Sequence, residues 1–160
     1  MSHDLTITRT IAAPRAAIWR CWTDPELLKR WYCPKPWRVT EASLDLRAGG
    51  RMNTVFEGPD GERHDNKGIF LEIVPMERLI FTDAFTVGFM PKDGAPFMTG
   101  FVHFSDAPSG GTVMRWGAHH WSAEDKDKHE AMGFHDGWNA AATQLDELAQ
   151  EIAATPDRPA

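Results

Sequence analysis

The stretch "MGFHDGWNAAATQLDELAQEI" (residues 132–152) decides how the rest of the chain must be read. At about 100° per residue, Trp138, Ala141, Leu145, Leu148 and Ile152 all fall within about 40° of Phe134. That stripe predicts an amphipathic helix roughly 30 Å long, at about 1.5 Å per residue. Gly133 and Gly137 are four apart and would stack on one flank of it, each costing roughly 1 kcal/mol against Ala in a helix interior. Small shoulders beside two large rings mean one of two things. Either a strand approaches that flank closely, or volume beside it stays unfilled. Upstream, Ser122 with Asp125 resembles a capping box, so the helical segment is expected to begin at Ser122 and to kink or break near Gly133.

What such a helix must cover is legible in the preceding chain. "DLTITRTIA" (4–12) alternates Leu5, Ile7, Arg9 and Ile11 against three threonines, the pattern of a half-buried strand. "PRAAIWRCWTD" (14–24) then places Ile18, Cys21 and Trp22 on one helical face. Asp24 and Pro25 supply an N-cap and a first residue for a second short helix, "PELLKRWY". From Trp37 to Trp121 the period changes to two, and six strands are expected: "WRVTEASLDL", "MNTVFEG", "NKGIFLEIV", "RLIFTDAF", "FMTGFVHFSD" and "TVMRWGAHHW". Asp60-Gly61 and Gly110-Gly111 mark tight turns between them. "TVGFMPKDGAP" (86–96) is the longest irregular piece, long enough to act as a lid. A strand, two short helices, six antiparallel strands and a long terminal helix define an α+β chain. Its twisted sheet needs a cover on the concave side, and the last helix supplies it.

Composition excludes several function classes. A net charge of −6 without a clustered run of Lys and Arg is wrong for a nucleic-acid backbone. No stretch approaches the ~20 apolar residues of a membrane span, and no apolar run follows a basic start, so no membrane and no signal peptide are expected. Cys21 and Cys33 read as reduced thiols rather than a disulfide, which makes the cytoplasm the expected compartment. Seven tryptophans stand against one tyrosine, so several of the indoles are candidates to line a cavity as well as a core.

Four stretches carry a family resemblance: "TITRTIAAPRAAIWRCWTDPELLKRWY" (6–32), "LDLRAGGRMNTVFEGPDG" (44–61), "KGIFLEIVPMERLIFTD" (67–83) and "HHWSAEDKDKHEAMGFHDGWNAAATQLDELA" (119–149). In this order they resemble the START-like (SRPBCC) superfamily, in its branch of activator of heat-shock 90 ATPase homologues of the bacterial single-domain type. The resemblance implies a helix-grip fold over residues 1–153, followed by a frayed tail at 154–160. Relatives in that superfamily include carriers of hydrophobic ligands, aromatic polyketide cyclases and a chaperone-stimulating domain. The activator proper has a further N-terminal domain without a counterpart in this sequence, so a chaperone partner is expected less than a small apolar ligand.

The leading expectation is a hydrophobic or aromatic ligand held between the sheet and the C-terminal helix. Trp31, Met52, Phe56 and Phe81 are expected to line the cavity, together with Phe85, Val102, Trp116, Phe134 and Trp138. Strand phase puts Asp83 with Leu79 and Phe81, and His120 with Met114 and Trp116, so both become candidate polar anchors. An enzyme of the cyclase or hydrolase kind could use the same pocket, with Asp83 or His120 titrating near neutral pH. No nucleophile elbow, phosphate loop or other catalytic motif is present. A co-chaperone-type interaction module is the third reading. No cofactor is expected. Metal binding is not expected either, because His119 and His120 alternate to opposite faces and no HExxH or His/Cys spacing occurs. The first strand, if exposed, could pair across a homodimer.

Overall fold

The computed structural model describes residues 3–155; of the expected tail, residues 156–160 lie outside the described part. Strand β1 (Asp4–Ile11) leads into α1 (Arg15–Thr23) and α2 (Pro25–Leu28). The strands β2 (Arg38–Leu44), β3 (Met52–Glu57), β4 (Arg63–Asn66), β5 (Ile69–Val74) and β6 (Arg78–Thr82) follow. After them come β7 (Phe85–Thr86), β8 (Met90–Pro91), β9 (Thr99–Asp106) and β10 (Thr112–His119), then α3 (Ala123–Ala131) and α4 (Phe134–Ala154).

One antiparallel sheet runs in the order β1-β10-β9-β6-β5, and β2-β3-β4 form a second ladder. The two are continuous. Partner numbers in the β3 hairpin keep a constant sum of 120 from Glu57↔Arg63 through Thr54↔Asn66 to the bridge Arg51↔Ile69. Strand β4 therefore bends into β5 at Gly68 without losing register, and a Cβ at Gly68 would collide with the Thr82 carbonyl of the neighbouring strand. The result is the curved antiparallel sheet around a long C-terminal helix expected from sequence. Two details differ. "RHDN" (63–66) forms a strand although all four of its residues are exposed, because its pairing with β3 holds it and no apolar alternation is needed. The segment expected to be irregular carries a small hairpin, with Phe85 opposite Pro91 and Thr86 opposite Met90.

The terminal helical segment breaks near Gly133 as expected, and the break undoes the expected stacking of the two glycines on one face. Gly133 has φ 94°, in the left-handed region, and it divides the segment into two helices. Its N–H donates to the Glu130 carbonyl at 3.0 Å, closing α3, and its carbonyl accepts from Gly137 at 2.8 Å, opening α4. The two glycines thus do not share a helix face; only Gly137 lies in a helix interior. Ser122 caps α3 as expected, its hydroxyl accepting from the Asp125 N–H at 3.1 Å. Asp24 caps α2, accepting from Glu26 N–H at 2.9 Å.

The C-terminal half of α4 packs tightly, with Ala141, Ala142, Leu145, Leu148 and Ala149 all buried. Leu5, Ile7 and Ile11 of β1 and Ile18, Cys21 and Trp22 of α1 complete this part of the core. Polar clamps fix the helix along its length. Arg9, the polar member of the inward β1 series, donates to the Asn139 carbonyl and the Thr143 hydroxyl, both at 3.0 Å. Gln144 donates to the carbonyls of Trp31 and Cys33 at 3.0 and 2.9 Å and accepts from Lys35 N–H at 3.1 Å.

The two glycines should respond oppositely to alanine. A Cβ at Gly137 meets only Pro34 Cγ at 3.9 Å, so Gly137→Ala should raise stability by roughly 1 kcal/mol through helix propensity. Gly133→Ala forces a side chain into the left-handed region and should lower stability by roughly 1–2 kcal/mol. Urea unfolding of the two variants beside the wild type reads both signs.

Candidate functional site

Between the N-terminal half of α4 and the concave sheet lies a cavity of about 620 Å³. Phe134 and Trp138 hold the helix away from the strands, where residues of Ala and Leu size draw it in further along. Trp138 stacks on Trp116 of β10 with centroids 4.3 Å apart and planes at 30°, and Phe134 lies 4.4 Å from Trp138. Trp116 is in turn met edge-on by Trp22 at 5.3 Å and Trp31 at 5.7 Å. Offset and edge contacts of this kind are worth about 0.5–1.5 kcal/mol each beyond the area they bury. The indole N–H groups of Trp22 and Trp116 are buried without a partner among the described residues.

Seven residues expected at the site stand on the cavity wall: Met52, Phe56, Phe81, Asp83, Trp116, Phe134 and Trp138. Phe81 reaches the wall because β9 carries Gly100 opposite it, leaving the ring nowhere to clash. The other four are placed elsewhere. Trp31 is wholly buried behind the wall, its indole N–H donating to the Cys21 carbonyl at 2.9 Å. Val102 points inward but is covered completely in the core. Phe85 is off the wall because the β6 alternation ends at Thr82; its ring packs edge-on against Phe89 at 6.3 Å instead. His120 faces inward as expected, yet it stands one layer back, behind His129.

Asp83 has a defined task. Its carboxylate accepts from the backbone N–H of Phe97 at 2.9 Å and of Met98 at 3.1 Å, fastening the end of β6 to the approach to β9. Cys33 is on the wall, but burial pushes its thiol up to about 11, as it does that of Cys21, so neither is a ready thiolate. Tyr32, also on the wall, has its phenol pushed well above the ordinary range by burial. The mouth is polar, bordered by the exposed His64, Asp65, Asn66 and Lys67 of the β4–β5 bend and by Lys92, whose ammonium donates to the Lys67 carbonyl at 3.1 Å. Trp37 stacks on His64 at 5.6 Å beside it.

Sequence reasoning missed several wall residues, among them Tyr32, Cys33, Phe97, Met98 and, most consequentially, His129. Helix α3, "AEDKDKHEA", offers nothing else to bury, and His129 is its one buried side chain. That was the available signal: on so polar a helix, a single imidazole is the group able to turn inward. His129 Nδ1 lies 2.8 Å from His120 Nε2, and His120 Nδ1 lies 2.7 Å from the His3 carbonyl. Phe97, Phe134 and Trp138 surround the His129 ring at 4.6, 5.2 and 5.7 Å. Burial, with the neighbouring His120 adding to it, lowers its pKa to about 4. Among the described residues no group of three or more His, Cys, Asp or Glu could hold a metal ion, and no helix is long and apolar enough to cross a membrane.

A strand, two short helices, a curved antiparallel sheet and a long helix over a hollow define a helix-grip protein. The chain belongs to the family described as activator of Hsp90 ATPase homolog 1-like protein, whose family model matches residues 12–150. Its fold is similar to that of a Nitrosomonas europaea protein, with 39% identity, a TM-score of 0.90, and 95% of this chain and 97% of that one covered. A Mycobacterium smegmatis protein is similar at 30% identity and a TM-score of 0.77, with 96% and 93% covered. An AHSA1-like protein from Aeromonas hydrophila shares the fold at 22% identity and a TM-score of 0.72, with 98% and 99% covered. Comparison with curated proteins gives no match.

The low pKa of His129 makes stability depend on pH with a definite sign. In the folded protein the ring stays neutral down to about 4, whereas the unfolded chain takes up its proton near the ordinary 6.5. Between those values the unfolded state binds more protons, so stability falls as pH drops from 6.5 to 4, by up to about 3 kcal/mol, and this contribution levels off below. Denaturant unfolding across this window should show a steeper fall for the wild type than for His129→Phe.

Proposed function

We propose that this protein binds a small, largely apolar aromatic molecule in the cavity beneath the start of α4. The supporting observation is the hollow itself, with an aromatic wall at the place where the helix carries no side chain at position 137. A volume of about 620 Å³ is in the ordinary range of small-molecule sites, and an aromatic lining with few polar groups is their usual chemistry. Binding rather than turnover is favoured by the wall's own chemistry. The Asp83 carboxylate is already engaged by two backbone amides, and the Cys33 thiol is held neutral.

Gly137→Leu tests this reading without harming the fold, because the position is helical and faces open space. Naphthalene titrated into the wild type should change the emission of Trp116 and Trp138 saturably, and native mass spectrometry of freshly isolated protein should show a co-purified small molecule. Gly137→Leu should fold with equal or greater stability and lose both signals. A wild type that neither responds to naphthalene nor carries any adduct would end the proposal.

A further inference from the structure

The hydrogen-bond chain behind the cavity wall fixes a proton arrangement. The His3 carbonyl can only accept, so His120 Nδ1, 2.7 Å away, must carry a hydrogen. A neutral His120 then presents a lone pair at Nε2. His129 Nδ1, 2.8 Å from it, must therefore be the donor. This leaves the remaining nitrogen of His129, Nε2, without a hydrogen, and it has no partner among the described residues. From this chain we infer that His129 Nε2 is a hydrogen-bond acceptor on the cavity wall, set to receive a hydroxyl or N–H group on an aromatic guest.

The inference rests on the ligand-binding reading above and narrows it to donor-bearing aromatics. The depressed pKa of His129 agrees with it, since a neutral ring is required for the lone pair to exist. Of the other polar groups of the inner wall, the Trp116 indole N–H lacks a partner but can only donate, and the Tyr32 phenol carries its own O–H, while the remaining acceptors are engaged. Asp83 accepts from Phe97 and Met98, and the Thr82 hydroxyl donates to the Met98 carbonyl and accepts from Ala84 N–H. A guest without a donor would displace water from Nε2 and offer nothing in return. One with a hydroxyl would restore that bond while its ring lies among Phe97, Phe134 and Trp138.

Two measurements test it. Long-range proton–nitrogen NMR of the wild type at neutral pH should show both His120 and His129 as the tautomer with hydrogen on Nδ1; a hydrogen on Nε2 of His129 overturns the inference directly. Binding of 2-naphthol and 2-methoxynaphthalene, compared by tryptophan fluorescence, should favour the naphthol roughly tenfold in the wild type, with the preference lost in His129→Phe. Equal affinities in the wild type overturn the acceptor assignment and leave the pocket reading standing. Failure of both compounds to bind overturns the pocket reading and the assignment together.

Discussion

The contact on which the architecture turns is the stack of Trp138 on Trp116, where the last helix meets β10, the second strand of the sheet. A helix lying on a curved sheet can close fully only where its facing side chains are small enough to follow the curvature. Beyond residue 140, Ala142, Leu145, Leu148 and Ala149 do so and are buried, while Ala141 marks the inner end of the cavity. Before it, two indoles and a phenyl ring set the separation. The bare α-carbon of Gly137 and the left-handed turn at Gly133 then leave the flank open. One helix is in this way both a sealed lid at one end and a raised roof at the other.

The polar elements around the hollow keep that geometry without filling it. Arg9 and Gln144 hold α4 from opposite sides, through a strand and through the chain that follows α2. Asp83 ties the end of one strand to the beginning of another and keeps Phe97 and Met98 at the wall. The imidazole pair has a different character, because it joins the N-terminal segment, the end of β10 and α3 through two hydrogen bonds in series. A buried network of this kind is costly unless every member is satisfied, and its last member, His129, stands on the cavity wall.

Much of this fold could be read from the sequence. Each of the seven long strands announces itself by alternation or by turn residues, and both capping residues, Asp24 and Ser122, act where their spacing put them. What escaped reading had no periodic signature. The "RHDN" strand is held by a ladder begun elsewhere, and the break foreseen near Gly133 carried no sign that it would separate the two glycines onto different elements. The site was legible to the depth of one layer. Periodicity tells which way a side chain points, and it turned Trp31 and His120 inward, where both are buried. It cannot tell how many layers lie between a residue and an open volume. His129 was passed over for a related reason: its partner is nine residues away, on a different element, and no spacing rule connects a strand end to the following helix.

The unbroken register of the β3 hairpin has a mechanical consequence. The segment that borders the mouth, from His64 to Lys67, is the same strand that continues past Gly68 into the centre of the sheet. That side of the opening is therefore stiff: it cannot swing outward without unzipping a ladder that the whole domain shares. The short β7–β8 hairpin, with the exposed Phe89 and Met90, is tied to this stiff side by the ammonium of Lys92, so the hairpin is moored to a strand that the rest of the sheet holds in place.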